Sequence, residues 1–583
     1  MACHNGTDRG TEKKSIDINS AIDWKSMEAA IGNSDFKDVR DVGAYFVDKS
    51  ELIDRILRMR GVKALLFTRP RRFGKSLNLS MIDAYLNLKY KGNTWFDGLK
   101  ISDLRPDDPM KNASPVIRLD MKDFEAATAE ETVTVARTDM SAAFRRYREL
   151  EDSDKLSSHQ IKLYGRYCDM DVGKADVMIS LQQLSEMLEA HYGRKAVILI
   201  DEYDAPINNA YGNPELREIT DFFRRFLSSA LKGNDYLDRA VLTGVMQLSK
   251  ESIFSGLNNL YVDNILSTGF DDTVGFTEAE VKKMCADFGA PDRFAEAKEW
   301  YDGYRFGNTD VYNPWSVLNY VSRKFVPDRY WAGTSKNGII DTLIAKTDRK
   351  TYEDIMKLGS GGMAAEDLSM SVTFDDLSPD HGGSSIYSVM AASGYLRAEK
   401  VPSGGYRLSI PNKEMRSVYA EKFLNALGKL EIEHGPVYGF CQAVLANDSA
   451  AMEDCLREMM ERSFSVRVFD SEHAYQTMVA GMLMSLGDTF RVEADRESGD
   501  GYSDIRIISS SPEHPSVIIE IKRTAGIGQA EDAARKALGQ ISARRYCAGL
   551  KGEVLTYGVA FAGKDVKVLA GHADGLSEHR RPA

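Results

Sequence analysis

Residues 64–86 constrain the fold more than any other stretch of the chain. Ala64-Leu65-Leu66-Phe67 is an apolar run with the length and content of a buried strand. Leu77, Leu79, Met81, Ile82 and Leu86 then recur at helical spacing. Between the two lies Arg69-Pro70-Arg71-Arg72-Phe73-Gly74-Lys75-Ser76. A strand, a tight turn and a helix opening on Gly-Lys-Ser turn backbone N–H groups toward an anion at the helix N-terminus. In this spacing the Lys75 ammonium reaches the outer phosphates of a nucleotide, and the Ser76 hydroxyl sits on Mg²⁺. The phosphate-loop pattern places its first Gly where this chain has Arg69. On that pattern alone, a basic turn before a surface helix stays open.

A second stretch shifts the balance. The apolar run Ala196-Val197-Ile198-Leu199-Ile200 ends in Asp201-Glu202. A strand buried on both faces carries such a run, and acids at its carboxyl end stand where open α/β sheets bind ligands. Asp201 suits Mg²⁺ through water, and Glu202 suits a base for an attacking water. Both motifs together favour an ATPase. Arg239-Ala240-Val241-Leu242-Thr243-Gly244-Val245 reads as another buried strand, with Thr243 a candidate sensor of the terminal phosphate. Strands alternating with helical stretches predict a parallel sheet covered on both faces.

Near the C-terminus the pattern turns to strands over Thr489–Glu493, Gly501–Ile508 and Val517–Lys522. Asp504 is expected to open one strand. Glu520 and Lys522 lie two apart on the next, hence on one side of it, and converge with Asp504 across a hairpin. Two carboxylates hold Mg²⁺ or Mn²⁺ through oxygen, and a lysine orients water and steadies the charge on phosphorus. Phosphodiester cleavage needs those parts. A solvated hairpin edge is the alternative; the apolar Val517-Ile518-Ile519 before Glu520 argues for a buried sheet instead.

Arg69 to Leu77 resembles the modified Walker A of the bacterial and archaeal AAA-ATPase-like family that carries a C-terminal PD-(D/E)XK nuclease domain, a family that also has Arg at the first-Gly position. Tyr45-Phe46-Val47-Asp48-Lys49-Ser50, Asp201-Glu202-Tyr203-Asp204-Ala205-Pro206 and Tyr301-Asp302-Gly303-Tyr304-Arg305-Phe306-Gly307 are similar to further stretches of it. Tyr312-Asn313-Pro314-Trp315-Ser316 and Ile410-Pro411-Asn412-Lys413-Glu414 continue the series. The resemblance implies a P-loop NTPase parallel sheet with a helical lid, a connector, and a restriction-endonuclease-like α/β domain. Its divisions are a flexible N-terminus (1–33), an ATPase core (34–275), a helical lid (276–345), a winged-helix-like connector (346–462), a nuclease-like domain (463–570) and a tail (571–583).

Under that resemblance Arg72, Phe73, Gly74, Lys75, Ser76, Leu77 and Thr243 contact ATP. Ser76 and Asp201 hold Mg²⁺, and Glu202 is catalytic. Asp504 and Glu520 hold the second metal, with Lys522 beside them. Glu472 would be a further acid, Gln540 would sit on the following helix as in the RecB-like branch, and Arg305 is a finger candidate. The chain departs from the family in two places: Gly501-Tyr502-Ser503-Asp504 lacks the Arg of Gly-Arg-x-Asp, and Gln476 follows Tyr475 where a His is frequent. Both bear on the vigour of catalysis more than on the fold.

At 583 residues the chain should hold several domains. A net charge of −12 gives no global attraction to nucleic acid, so such contact must come from local patches. Arg535, Lys536, Arg544 and Arg545 either form one or make a solvated helix face. The six cysteines form no CxxC pair and read as thiols of a reducing compartment. No apolar run approaches the ~18 residues that would cross a membrane. The expectation is therefore a cytoplasmic protein with ATP and nucleic acid as partners and no membrane, homo-oligomerisation being left open. Locally, Tyr45–Val47 is expected as a short strand and Asp48 as the cap of the next helix. Asn313-Pro314 should start a helix, and a helix at Ile386–Ala392 should lead into a hairpin. The leading function is an ATP-regulated, metal-dependent nuclease; the rival is a nucleotide switch whose C-terminal domain binds nucleic acid or a partner without cutting.

Overall fold

The computed structural model describes residues 29–210, 213–248, 260–331, 358, 363–365, 367–372, 384–419, 434–463, 472–483, 486, 490–498, 501–509, 511, 514–550 and 552–572. The tail and most of the N-terminal stretch, and the Gly-rich sequences at 359–362 and 381–383, expected from composition as loops, with Asp375–Pro379 between them, lie outside these residues.

The first sheet is built from β1 (Ala64–Thr68), β2 (Val116–Asp120), β3 (Ala196–Asp201), β4 (Leu237–Gly244) and, after the short β5 (Gln247–Leu248), β6 (Leu260–Asp263). Its order is β2-β3-β4-β1-β6, and every pair is parallel. All residues of β1 and β3 are buried, because helices cover both faces. Leu66, Ile198 and Ile200 pack with Val177 and Leu181 of the helix Lys174–Tyr192 and with Phe222 and Phe226 of Leu216–Leu231. Leu65, Phe67, Val197 and Leu199 pack on the other side with Ile53 and Ile56 of Glu51–Arg58 and with Leu79 and Ile82 of Lys75–Leu86. That is why the sequence runs are apolar without alternation. β4 lies between β1 and β3, so the segments leaving all three carboxyl ends meet at one edge of the sheet.

The stretch expected as a helical lid contains a sheet as well as helices. β7 (Phe276–Thr277), β8 (Tyr304–Phe306) and β9 (Thr309–Tyr312) pair antiparallel in the order β7-β9-β8. Gly307, at φ +50, makes the turn between β8 and β9. The helix Pro314–Ser322 starts as its sequence predicts, with the Asn313 side chain accepting from the Ser316 N–H at 3.2 Å. Two local expectations are corrected. Tyr45 makes a single isolated bridge to Ala29, not a strand, and its hydroxyl donates to Asp287 at 2.8 Å. Asp48 does not cap the helix Glu51–Arg58; Ser50 holds that position. The Asp48 carboxylate accepts from the backbone N–H of Ser50 at 2.9 Å and of Lys100 at 2.8 Å, tying two distant segments together.

Farther on, the helix Ser384–Ala392 precedes the expected hairpin of β12 (Arg397–Lys400) and β13 (Tyr406–Ser409). β10 (Met363–Ala365) adds a third strand to β13, and β11 (Ser371–Val372) pairs in parallel with β5. Just beyond β13, Glu414 is fully buried. It accepts hydrogen bonds from the Ser316 hydroxyl (2.8 Å) and from the Trp331 backbone N–H. Burial pushes its carboxyl from the ordinary 4.5 up to about 7, outweighing the two hydrogen bonds, which favour the charged form. The folded state therefore binds this proton more tightly than the unfolded chain does. The contribution to stability is full below about 4.5 and is lost as the pH rises through about 7. Calorimetry should find a lower unfolding midpoint at about pH 8 than at about pH 6, and Glu414→Gln should shrink the difference. An undiminished difference in that variant would assign the effect to other groups.

The last sheet runs β14 (Phe490–Ser498), β15 (Gly501–Ser509), β16 (Ser516–Arg523), β17 (Val554–Ala562) and β18 (Asp565–His572), in that order. Only β16 and β17 are parallel, and the helix Ala530–Ala543 makes the crossover between them. That helix lies so close that a Cβ on Gly558 of β17 would stand 2.0 Å from the Ala534 carbonyl oxygen. Ile505, Ile507, Ile519 and Ile521 pack on the opposite face with Tyr475 and Val479 of the helix Glu472–Leu483.

Candidate functional sites

The loop between β1 and the helix Lys75–Leu86 turns on Gly74, which caps the helix at φ +87. A Cβ there would meet nothing within 4 Å, so the loop faces open space at this point. The Lys75 side chain is only 3% exposed, and its ammonium lies 3.5 Å from Glu202 Oε1. It donates to the carbonyls of Arg69 (3.1 Å) and Pro70 (3.2 Å). Ser76 follows, half-buried, in the first turn, and Leu77 packs against the β1 side of the core. The Phe73 ring is buried against Tyr304 and Phe306, with centroids 5.0 and 5.2 Å away, so the loop offers a ligand the backbone at Phe73 rather than its ring.

Arg69 is completely buried. Its guanidinium pairs with the equally buried carboxylate of Asp263 at the end of β6. It also donates to the carbonyls of Asp263 (2.9 Å) and Thr68 (3.0 Å), and it lies over the Phe306 ring at 5.0 Å. The residue that departs from the glycine pattern thus bolts the loop to the neighbouring strand.

At the end of β3, Asp201 is buried and accepts from the Thr243 hydroxyl and from the Glu202 N–H (3.1 Å). Glu202 takes φ +49, a conformation uncommon for a residue with a side chain. Asp204, unassigned by the sequence reading, is fully buried and accepts from the N–H groups of Val245 (3.1 Å) and Met246 (2.9 Å). Burial, with the Glu202 carboxylate adding to it, pushes Asp204 up to about 6. Its signal was its place in the Asp201-Glu202-Tyr203-Asp204 stretch. Lys75, Glu202, Asp201 and Thr243 are thereby gathered at the carboxyl ends of β1, β3 and β4. Arg305 is engaged elsewhere, paired with Asp310 across β8 and β9 at 3.1 Å.

In the last sheet, Asp504 does not open its strand; it lies inside β15, whose pairing with β14 begins at Gly501. The antiparallel register, Ile505 against Ile519, sets Asp504 opposite Glu520. The Asp504 N–H lies 3.4 Å from Glu520 Oε2, and the Asp504 carboxylate accepts from the Ile521 N–H at 2.6 Å. Glu520 is 1% exposed and accepts from the Gln540 amide. The Lys522 ammonium stands 3.3 Å from Glu520 Oε1 and 3.2 Å from Glu472 Oε1. Burial first, then the Asp504 carboxylate, push Glu520 up to about 7. For Lys522 burial acts downward, and Glu520, Asp504 and Glu472 together outweigh it and raise its pKa. Gln476, where the family frequently has His, donates to the Asp504 carbonyl at 3.0 Å.

Residues 30–254 match the family model described as a predicted AAA-ATPase, and residues 470–570 match that of the PD-(D/E)XK nuclease superfamily. The chain carries an AAA-ATPase-like domain and a PD-(D/E)XK superfamily domain. It is also 28% identical over 444 residues to an uncharacterized protein in the vnfD 5' region of Azotobacter chroococcum mcd 1, covering 73% of this chain and 75% of that one. No helix among the described residues is long and apolar enough to cross a membrane.

By donor chemistry, the Asp504 and Glu520 carboxylates would suit a hard divalent cation. Two oxygen-only side chains occupy opposed positions on adjacent strands, and the Asp504 carboxylate adds to burial in raising Glu520. Among the described residues no group of three His, Cys, Asp or Glu side chains is disposed to hold a metal, so a cation here would rest on this pair.

Proposed function

We propose that the chain binds and hydrolyses ATP and thereby regulates a metal-dependent nuclease acting on DNA or RNA. The observation that carries this reading is the facing of Asp504 and Glu520 across β15 and β16, with the Lys522 ammonium beside them. The proposed division of labour is an ATPase core over 34–275, a lid over 276–345, a connector over 346–462 and a nuclease-like domain over 463–570.

In the ATPase core the phosphates of ATP lie along Arg72, Phe73, Gly74, Lys75, Ser76 and Leu77, against N–H groups at the helix N-terminus. Lys75 exchanges the Arg69 and Pro70 carbonyls for the outer phosphate oxygens. Ser76 and Asp201 would hold Mg²⁺, and Thr243 fixes the Asp201 carboxylate by its hydrogen bond. Glu202 takes the proton of the attacking water. In the nuclease-like domain Asp504 and Glu520 would hold Mg²⁺ or Mn²⁺, whose charge offsets that of the phosphodiester when it is bound. Lys522 donates to a phosphate oxygen, and Gln540 keeps the Glu520 carboxylate in place.

The rival, a nucleotide switch that binds nucleic acid or a partner without cutting, draws on Tyr502 and Gln476, which stand where the family often has Arg and frequently has His. Hydrolysis is tested by Glu202→Gln, which keeps the hydrogen-bonding shape and removes the base. ATP should stay bound while turnover falls roughly a hundredfold or more. Equal turnover in the variant and the parent would move water activation elsewhere. Stimulation of the parent's ATP hydrolysis by added DNA or RNA supports a nucleic-acid partner, and indifference to both argues against one.

A further inference from the structure

Three of the resembling stretches take no part in the chemistry above, and all three converge on the outer side of the nucleotide loop. From Tyr301–Gly307, the rings of Tyr304 and Phe306 enclose Phe73. From Tyr312–Ser316, the Trp315 ring lies 4.2 Å from the Arg72 guanidinium, and the Ser316 hydroxyl reaches Glu414 at 2.8 Å. From Ile410–Glu414, the buried Glu414 carboxylate also takes the backbone N–H of Trp331. Trp331 in turn donates its indole N–H to the Arg71 carbonyl at 3.2 Å. A path of direct bonds thus runs from Glu414 through Trp331 to the loop.

The loop needs such support. Arg72 is held at φ +68, a region disfavoured for any residue with a Cβ. Such a conformation persists when its surroundings over-determine it. Here the carbonyl just before Arg72 is bonded to Trp331, and its guanidinium is held over Trp315. The 410–414 turn is itself pressed onto the small sheet. Asn412 donates to the Asp302 carbonyl at 2.8 Å, and Gly303, at φ +97, has no room for a Cβ, which would stand 1.9 Å from the Pro411 oxygen.

We infer that Trp331 and Glu414 are positioning residues for the nucleotide loop, through which the 410–414 turn sets how tightly the loop holds ATP. The inference rests on the reading of that loop as the ATP site. By linkage, ATP must act back on the turn with the same coupling.

Trp331→Phe keeps a ring against Tyr395, 5.2 Å away, and removes the N–H that reaches Arg71. The Kd for ATP, measured by calorimetry, should rise roughly fivefold, as for one lost hydrogen bond. kcat at saturating ATP and the unfolding midpoint should stay near those of the parent, a split that a general loss of structure would not produce. In the parent protein, hydrogen exchange at the backbone amides of Trp331 and Met415 should slow when ATP is added. If Trp331→Phe binds ATP as tightly as the parent, the inference is overturned. Should that variant fail to fold, unchanged exchange at those amides in the ATP-bound parent overturns it. A parent that binds no ATP overturns the reading of the loop itself, and this inference with it.

Discussion

Lys75→Ala should abolish ATP binding while leaving a folded protein. The ammonium is buried at the loop, within reach of both the loop carbonyls and Glu202. A hydrogen bond to a charged group contributes ~1.5–3 kcal/mol, so losing two to the outer phosphates weakens binding by roughly two orders of magnitude or more. The cost to the fold is smaller. The Arg69 and Pro70 carbonyls lose a donor, but the loop stays bolted by the Arg69–Asp263 pair and the buried Phe73 ring. A fluorescent ATP analogue titrated against the variant reads the first effect, and thermal unfolding reads the second. Parental affinity in a folded Lys75→Ala protein would remove the phosphate-loop reading.

The second large effect belongs to the C-terminal site, where three substitutions separate three roles. Asp504→Asn or Glu520→Gln takes away one of two carboxylates, so divalent-ion binding and cleavage should fall together. Lys522→Ala should leave metal binding nearly intact while cutting drops, a lost transition-state contact of ~3 kcal/mol corresponding to roughly a hundredfold in rate. The Lys522 ammonium also stands beside Glu520 and Glu472 in the resting protein, and its loss should raise Glu520 further, so metal binding is compared at a pH where Glu520 is ionised in both proteins. Binding of uncut nucleic acid should change little in all three variants. Calorimetric titration with Mn²⁺ beside a cleavage assay distinguishes them. Full cleavage by Asp504→Asn would displace the site.

The sequence disclosed most where burial left an unbroken apolar run. β1, β3, β4 and β16 were legible because each is covered on both faces or enclosed by neighbours, and the acids ending β3 could be placed from that alone. The facing of Asp504 and Glu520 was legible because side-chain direction in a strand has period two, although Asp504 lies inside β15 rather than opening it. Pairings between distant residues were not legible. Nothing local marks Arg69 as the partner of Asp263, or Asp204 as the acceptor for the turn after β4, since each depends on strand order. The small sheet β7-β9-β8 was read as helix because its strands are shorter than a period-two pattern needs to declare itself, and the rings of Tyr304 and Tyr312 sit equally well on helices. Asp48 carried a capping signal, but Lys100, far along the chain, competes for the same carboxylate.

One cleavage experiment tests the nuclease reading most directly. Purified protein is incubated with labelled DNA and with labelled RNA, in Mg²⁺ or Mn²⁺, with and without ATP, beside Asp504→Asn. At least one nucleic acid should be cut, cutting should require the divalent ion, ATP should change its rate, and the variant should be inactive. A parent protein that binds ATP and nucleic acid yet cuts neither DNA nor RNA under every combination of metal and nucleotide would contradict the nuclease reading, and the switch reading would take its place.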